Sequence, residues 1–327
     1  MRYRILGKTG FRISEISLGT WQVGGGWREY FDEGIASRIL HRAMDLGVNF
    51  IDTADIYGGG MSEKAVGKAV RERKDRIFVA TKIGKRLPKQ VPGKYNRKNL
   101  FLFVEDSLRN TGLETLDLLQ LHTPPIEIYR KAKIFAVLDD LKREGKILHY
   151  GVSVKTVPEA LAAMEHPGVA PLQLIFNMFR QRPAEDVFPI ALQKNVGIIA
   201  RVPLASGMLT GKLHHESTFS SEDHRNFNRD GKVFDQGETF SGVDYAVGLQ
   251  AVEELKALFP HGDLAHYALR WILRHSAVSC AIPGASRPEQ AESNALASAQ
   301  PPLSHEQIWA VERIYDKYIR SQVHARW

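Results

Sequence analysis

The feature that most constrains this chain is an alternation. Eight short, apolar, β-branched runs recur along it, separated by longer amphipathic stretches. The runs are EISLGTW (15–21), VNFID (48–52), RIFVATK (76–82), LDLLQLH (116–122), ILHYGVS (147–153), LQLIFN (172–177), VGIIARV (196–202) and SCAIPG (279–284). Segments such as GIASRILHRAMDLG, NLFLFVEDSLRNTG and KIFAVLDDLKREGK place apolar residues three and four apart, the period of a helix with one packed face. Gly47, Gly112 and Gly145 stand where such helices should end. Strand–helix repetition demands a parallel sheet, and strands apolar throughout are covered on both faces. Eight of them close into a barrel whose interior is filled by side chains. The expectation is an α/β fold, a (β/α)8 TIM barrel in a single domain over residues 1–327. That length suits an architecture of roughly 250 residues plus insertions.

Three segments fall outside the repeat. RYRILGKTGFRIS at the start reads as a β-hairpin turning at Lys8-Thr9-Gly10, placed to plug the bottom of the barrel. After the seventh run, about forty residues rich in Gly, Ser, Asp and His precede the next helix near Tyr245, a length typical of a functional lid. KRLPKQVPGKYNRK (85–98) carries six Lys or Arg and no acid, which could steer anionic substrates.

The net charge of +7 is spread along the chain otherwise, so nucleic acid is not an expected partner. One cysteine, Cys280, lies within an apolar run and cannot form an internal disulfide, which points to a reducing, cytoplasmic setting. No apolar run approaches a membrane span, and the N-terminal stretch has no signal-peptide pattern. SGMLTGKL lacks the length and the Ser/Thr of a phosphate-binding P-loop. His214, His215 and His224 have no acidic or cysteine partners at ligand spacing, so no metal is expected.

A barrel builds its site at the carboxyl ends of its strands. There the runs place Asp52, then Tyr57 before the glycines of NFIDTADIYGGG, and Lys82, His122, Ser153, Gln173, Asn177 and Arg201. Four ionisable groups of different kinds on one rim suit proton donation. A free tyrosine, with a pKa near 10, is too weak an acid to protonate an alkoxide readily at pH 7. Lowering it by about two units requires about 2.7 kcal/mol, which an ammonium about 4 Å away can supply. Lys82 could do this if Asp52 keeps it charged, and His122 could orient a carbonyl oxygen. The set fits carbonyl reduction with Tyr57 as acid, the hydride coming from elsewhere. Trp21, Trp27 and Tyr30 follow the first run and could wall a substrate pocket with Tyr57 and His122. IPGASRPEQ is a glycine turn entering a helix after the last run, where barrels often bind phosphate, and Arg287 could fork onto a 2′-phosphate.

DTADIY, the lysine of ATKIG and the histidine of LLQLHTP resemble the aldo-keto reductases in order and spacing, over about nine-tenths of the chain. That resemblance implies a tetrad of Asp52, Tyr57, Lys82 and His122, and NADP(H) bound without a Rossmann fold. It implies cofactor contacts from Gly19, Thr20, Trp21, Ser153, Gln173, Arg201, Pro203, Leu204, Gly207, Lys212, Ile282, Gly284, Ser286, Arg287, Gln290 and Asn294, with Asn177 near the nicotinamide. The substrate would be a small carbonyl compound or sugar. The alternatives are oxidation of an aldose, or a nucleotide-sensing subunit like the potassium-channel β subunits of the family. The chain departs from the family pattern at Val154, where asparagine is usual, at Arg201, where an aromatic is common, and at Ser293, where glutamate is frequent. A cation at Arg201 would disfavour the oxidised, positively charged nicotinamide.

Overall fold

Hydrogen bonding between the first and last barrel strands closes the sheet. In the computed structural model, which describes residues 1–26 and 30–327, a two-stranded hairpin precedes eight parallel strands. The hairpin pairs β1 (Tyr3–Ile5) with β2 (Arg12–Ser14), Tyr3 opposite Ser14. The barrel strands are β3 (Leu18–Gly19), β4 (Phe50–Asp52), β5 (Phe78–Ile83), β6 (Leu116–His122), β7 (Ile147–Ser153), β8 (Val169–Ile175), β9 (Gly197–Arg201) and β10 (Val278–Ala281). Each pairs with its sequence neighbour in parallel. Closure comes from bridges joining Ile16 to Ala281 and Gly19 to Gly284, with Ala281 N–H donating to Glu15 O at 2.9 Å and Gly19 N–H to Pro283 O at 3.1 Å.

The side-chain period of a strand is two, so alternate residues face the lumen. Phe50, Ala80, Leu118, Ile199 and Cys280 meet there, and the hairpin adds Leu6 and Ile13, both fully buried. Each such side chain contributes about 1.5–3 kcal/mol, enough to hold the hairpin as the expected plug. Gly7 makes that seat possible. Its φ is +48°, and a Cβ there would lie 2.3 Å from the Gly197 nitrogen.

The amphipathic segments form the outer layer. Glu33–Asp45, Met61–Arg71, Arg97–Thr111, Ala132–Arg143 and Val157–Ala163 follow β3 to β7 in order. Gly47, Gly112 and Gly145 all adopt left-handed backbone at or just past helix ends, as their positions suggest. The segment after β9 is ordered and folded back on the barrel. Phe240 N–H donates to Ser206 Oγ at 3.0 Å, Asn177 Nδ2 donates to Ser241 Oγ at 2.8 Å, and Trp327 Nε1 donates to Asp235 at 3.1 Å. Among the described residues, no helix is long and apolar enough to cross a membrane.

Candidate active site

Lumen-facing residues one step beyond the apolar layer are polar, and they build the site. Asp52 ends β4, Lys82 lies on β5, Gln120 and His122 on β6, Ser153 ends β7, Gln173 lies on β8 and Arg201 ends β9. The parallel register aligns them: Lys82 stands beside Gln120, His122 beside Ser153, and Ser153 beside Gln173. Tyr57 comes from the turn after β4, where Gly58, Gly59 and Gly60 all have positive φ. A Cβ at Gly58 would sit 2.2 Å from Gly24 O, so the glycines bring Tyr57 back over the rim against the segment after β3.

The Lys82 ammonium is fully buried and donates three hydrogen bonds: to the Asp52 carboxylate, to Thr53 O at 2.9 Å and to Tyr57 Oη at 3.4 Å. Burial alone would push its pKa down, but Asp52, aided by Tyr57, outweighs that and raises it. The ammonium therefore stays charged. The other Asp52 oxygen accepts from Gln120 Nε2 at 3.0 Å and from Gln173 Nε2 at 2.7 Å, fixing the carboxylate in place. Tyr57 and His122 rings meet edge-on with centroids 6.0 Å apart.

One electrostatic outcome differs from the expectation. The Tyr57 pKa is raised, because burial exceeds the opposing pull of Lys82. The phenol keeps its proton at neutral pH, and the Lys82 ammonium offsets part of the cost of burying a phenolate there. His122 is held well below the ordinary histidine range by burial, then by Lys82, Lys85, Arg201 and Lys155, so its imidazole is neutral. Its Nδ1 is buried without a partner. Arg201 also behaves differently. Glu238, from the segment after β9, forms a half-buried ion pair with it and holds it charged against burial, and Arg201 Nη2 donates to Val154 O at 3.3 Å. The pair is close to neutral, which removes most of the repulsion expected toward an oxidised nicotinamide.

The remaining predicted positions fall into three groups. Gly19, Thr20, Trp21, Pro203, Leu204, Gly207 and Ile282 line the rim around β3, β9 and β10. Thr20 Oγ1 donates to Asp52 O at 2.9 Å, and Trp21 meets His224 of the segment after β9 edge-on at 5.7 Å. At the far end, Ser286 N–H and hydroxyl both donate to Gln290 Oε1, at 2.7 and 3.0 Å, and Asn294 Nδ2 donates to Gly284 O at 3.2 Å. Arg287 is the N-cap residue of helix Pro288–Leu296 and is exposed. Lys212 is exposed, its ammonium 3.8 Å from Asp263. Ser293 hydrogen-bonds His266 at 3.1 Å. Asn177 is occupied structurally: its amide holds Val202 O and Ser241 Oγ and accepts from Phe179 N–H, so it is not available to a nicotinamide. Tyr30 is 74% exposed, and Trp27 lies outside the described residues.

The site also holds residues that the sequence reading passed over. Gln120 had a legible signal, as the one uncharged polar residue in LDLLQLH, two positions before His122 and so on the same face. Glu238 had none, because its role depends on how a long loop folds back. Asp55, inside the DTADIY motif, is buried with neither carboxylate oxygen hydrogen-bonded, and burial followed by Glu63 raises its pKa to about 7.

The residues present fit a nicotinamide nucleotide. Arg201 Nε and His122 Nδ1 are buried at the rim without a hydrogen-bond partner. A groove of about 630 Å³ runs beside the helix start at Ser286 and Arg287, with Arg38, His41 and Arg42 on its opposite wall.

A parallel barrel with a buried lysine–carboxylate pair beside a tyrosine and a neutral imidazole suits proton donation to a carbonyl oxygen. The description "Aldo/keto reductase family" matches residues 15–316, and the chain belongs to that family. It is 33% identical over 303 residues to the aldo-keto reductase YhdN of Bacillus subtilis, covering 90% of this chain and 87% of that protein. It is 30% identical over 333 residues to an L-glyceraldehyde 3-phosphate reductase of Escherichia coli O157:H7, covering 96% and 92%. Among solved structures it is similar to the glycerol dehydrogenase AKR11B4 from Gluconobacter oxydans, with a TM-score of 0.79, 29% identity and coverage of 97% and 96%. The protein is an oxidoreductase of this family.

Proposed function

We propose that this protein reduces an aldehyde or ketone to the alcohol with NADPH, and runs in reverse on alcohols or sugars when the oxidised cofactor is in excess. The observation that carries the reading is the Tyr57 hydroxyl 3.4 Å from a Lys82 ammonium that is itself kept charged by Asp52. When bound, the cofactor would supply the hydride for the carbonyl carbon. The protein's part is the proton: Tyr57 Oη–H passes it to the carbonyl oxygen, and Lys82 stabilises the resulting phenolate. The neutral His122 can donate a hydrogen bond to the same oxygen, orienting it and favouring negative charge there as it develops. Asp52, clamped by Gln120 and Gln173, holds Lys82 in place and charged. Ser153 and Gln173 would hold the nicotinamide amide, and Lys212 the pyrophosphate. Arg287 and the cations across the groove favour a 2′-phosphate, hence NADPH over NADH.

The names of two relatives, an L-glyceraldehyde 3-phosphate reductase and a glycerol dehydrogenase, support small polyol-like substrates in both directions. The test is a panel of aldehydes, ketones and keto-sugars with NADPH or NADH, followed at the nicotinamide absorbance. Tyr57→Phe should lower turnover by about 100-fold or more. A Tyr57→Phe protein as active as the parent would overturn the reading.

A further inference from the structure

The basic stretch 85–98 does not act as a whole. Arg86 is paired with Asp106 at 3.0 Å and Arg97 with Asp140 and Glu144, while Lys89, Lys94 and Lys98 are exposed. Lys85 alone turns inward. It is half-buried, its ammonium has only a 3.5 Å contact to Thr123 O, and its pKa is held down by burial, then by Lys155, against a partial upward pull from Glu238.

Lys155 is the matching residue across the mouth. Strands β5, β6 and β7 are consecutive neighbours. Lys85 lies just past the end of β5, Lys155 just past the end of β7, and His122 ends β6 between them. Lys155 is half-buried, its backbone N–H donates to Glu159 at 2.6 Å, and its ammonium has no hydrogen bond or ion pair among the described residues. The acids nearby are engaged: Glu238 by Arg201, and Glu159 by the N–H groups of Lys155 and Thr156. Two half-buried ammonium groups, neither in an ion pair among the described residues, therefore flank the imidazole at the site mouth, with Glu238 and Glu159 offsetting part of their charge from a distance. Like charges held together in a partly desolvated mouth are unfavourable by themselves and focus attraction onto an anion that enters.

We propose that the substrate carries a terminal anionic group, a phosphate monoester or a carboxylate, received between Lys85 and Lys155 while its carbonyl meets Tyr57 and His122. This rests on the reductase reading given above. It narrows the substrate class to short anionic carbonyl compounds.

The experiment uses the full chain at saturating NADPH with matched twins. Glyceraldehyde 3-phosphate against glyceraldehyde tests phosphate, and 4-oxobutanoate against butanal tests carboxylate. The expected result is a kcat/KM at least about tenfold higher for one anionic twin than for its neutral partner, a ratio that collapses toward unity in Lys85→Met and Lys155→Met. Lys94→Met, on the exposed part of the same stretch, should leave the ratio as it is. Equal kcat/KM within both pairs, or a ratio untouched by Lys85→Met and Lys155→Met, overturns the proposal. If no carbonyl compound is reduced, the reductase reading fails instead, and inorganic phosphate decides the site separately. Phosphate should then raise the unfolding temperature of the parent more than that of the Lys85→Met/Lys155→Met double variant, and an identical rise overturns the anion site.

Discussion

Asp55 offers a measurement that isolates one buried charge. Its carboxyl is 1% exposed, and neither oxygen has a hydrogen-bond partner. Glu63 on helix Met61–Arg71 repels its charge, and Arg86, the nearby but poorly aligned Ile56 N–H and Lys82 offset only part of that. Tyr95, across from it, feels the same negative field. Burial is the largest influence, and the pKa rises from 3.8 to about 7. The folded-state value lies above the unfolded one, so the carboxyl's contribution to stability is complete below about pH 4. It is lost progressively as pH rises toward 7. A shift of about three units corresponds to about 4 kcal/mol of lost stability at pH 8, taken as an upper bound. An asparagine side chain is a neutral isostere of the protonated acid. Asp55→Asn should therefore match the parent near pH 4 and exceed it by up to about 4 kcal/mol at pH 8. Urea unfolding of both proteins at pH 4, 5, 6, 7 and 8 reads the gap, since titrations common to the two cancel. A gap that stays constant to within about 0.5 kcal/mol across that range would refute the reasoning.

Three further outcomes follow from the site geometry. Gln120→Leu removes one of the two amides holding the outer Asp52 oxygen and should lower kcat about tenfold or more with little change in KM, read from steady-state kinetics across pH. Glu238→Gln leaves Arg201 buried without its counter-charge; it should cost about 2–3 kcal/mol in urea unfolding and weaken binding of the oxidised cofactor more than the reduced one, by fluorescence titration. Arg287→Ala should raise KM for NADPH by about tenfold and leave KM for NADH unchanged in steady-state assays.

Much of this molecule is legible along the chain because its determinants are local. The eight apolar runs, the helical spacing between them and the glycine stops are periodicities, and a period of two or 3.6 acts over neighbouring residues only. Asp52, Lys82 and His122 end up on one rim because each ends, or nearly ends, a strand of a parallel barrel, which places all such ends on the same side. Gln120 was readable by the same parity, two residues before His122. Tertiary structure alone decided the rest. Whether Lys82 lowers the Tyr57 pKa below its ordinary value depends on the balance between a neighbouring charge and desolvation, and only the packed environment sets the second. Glu238 reaches Arg201 and Asn177 is consumed by Ser241 through contacts between residues far apart in the chain. No period relates such pairs, because their meeting depends on where long loops close once the barrel beneath them exists.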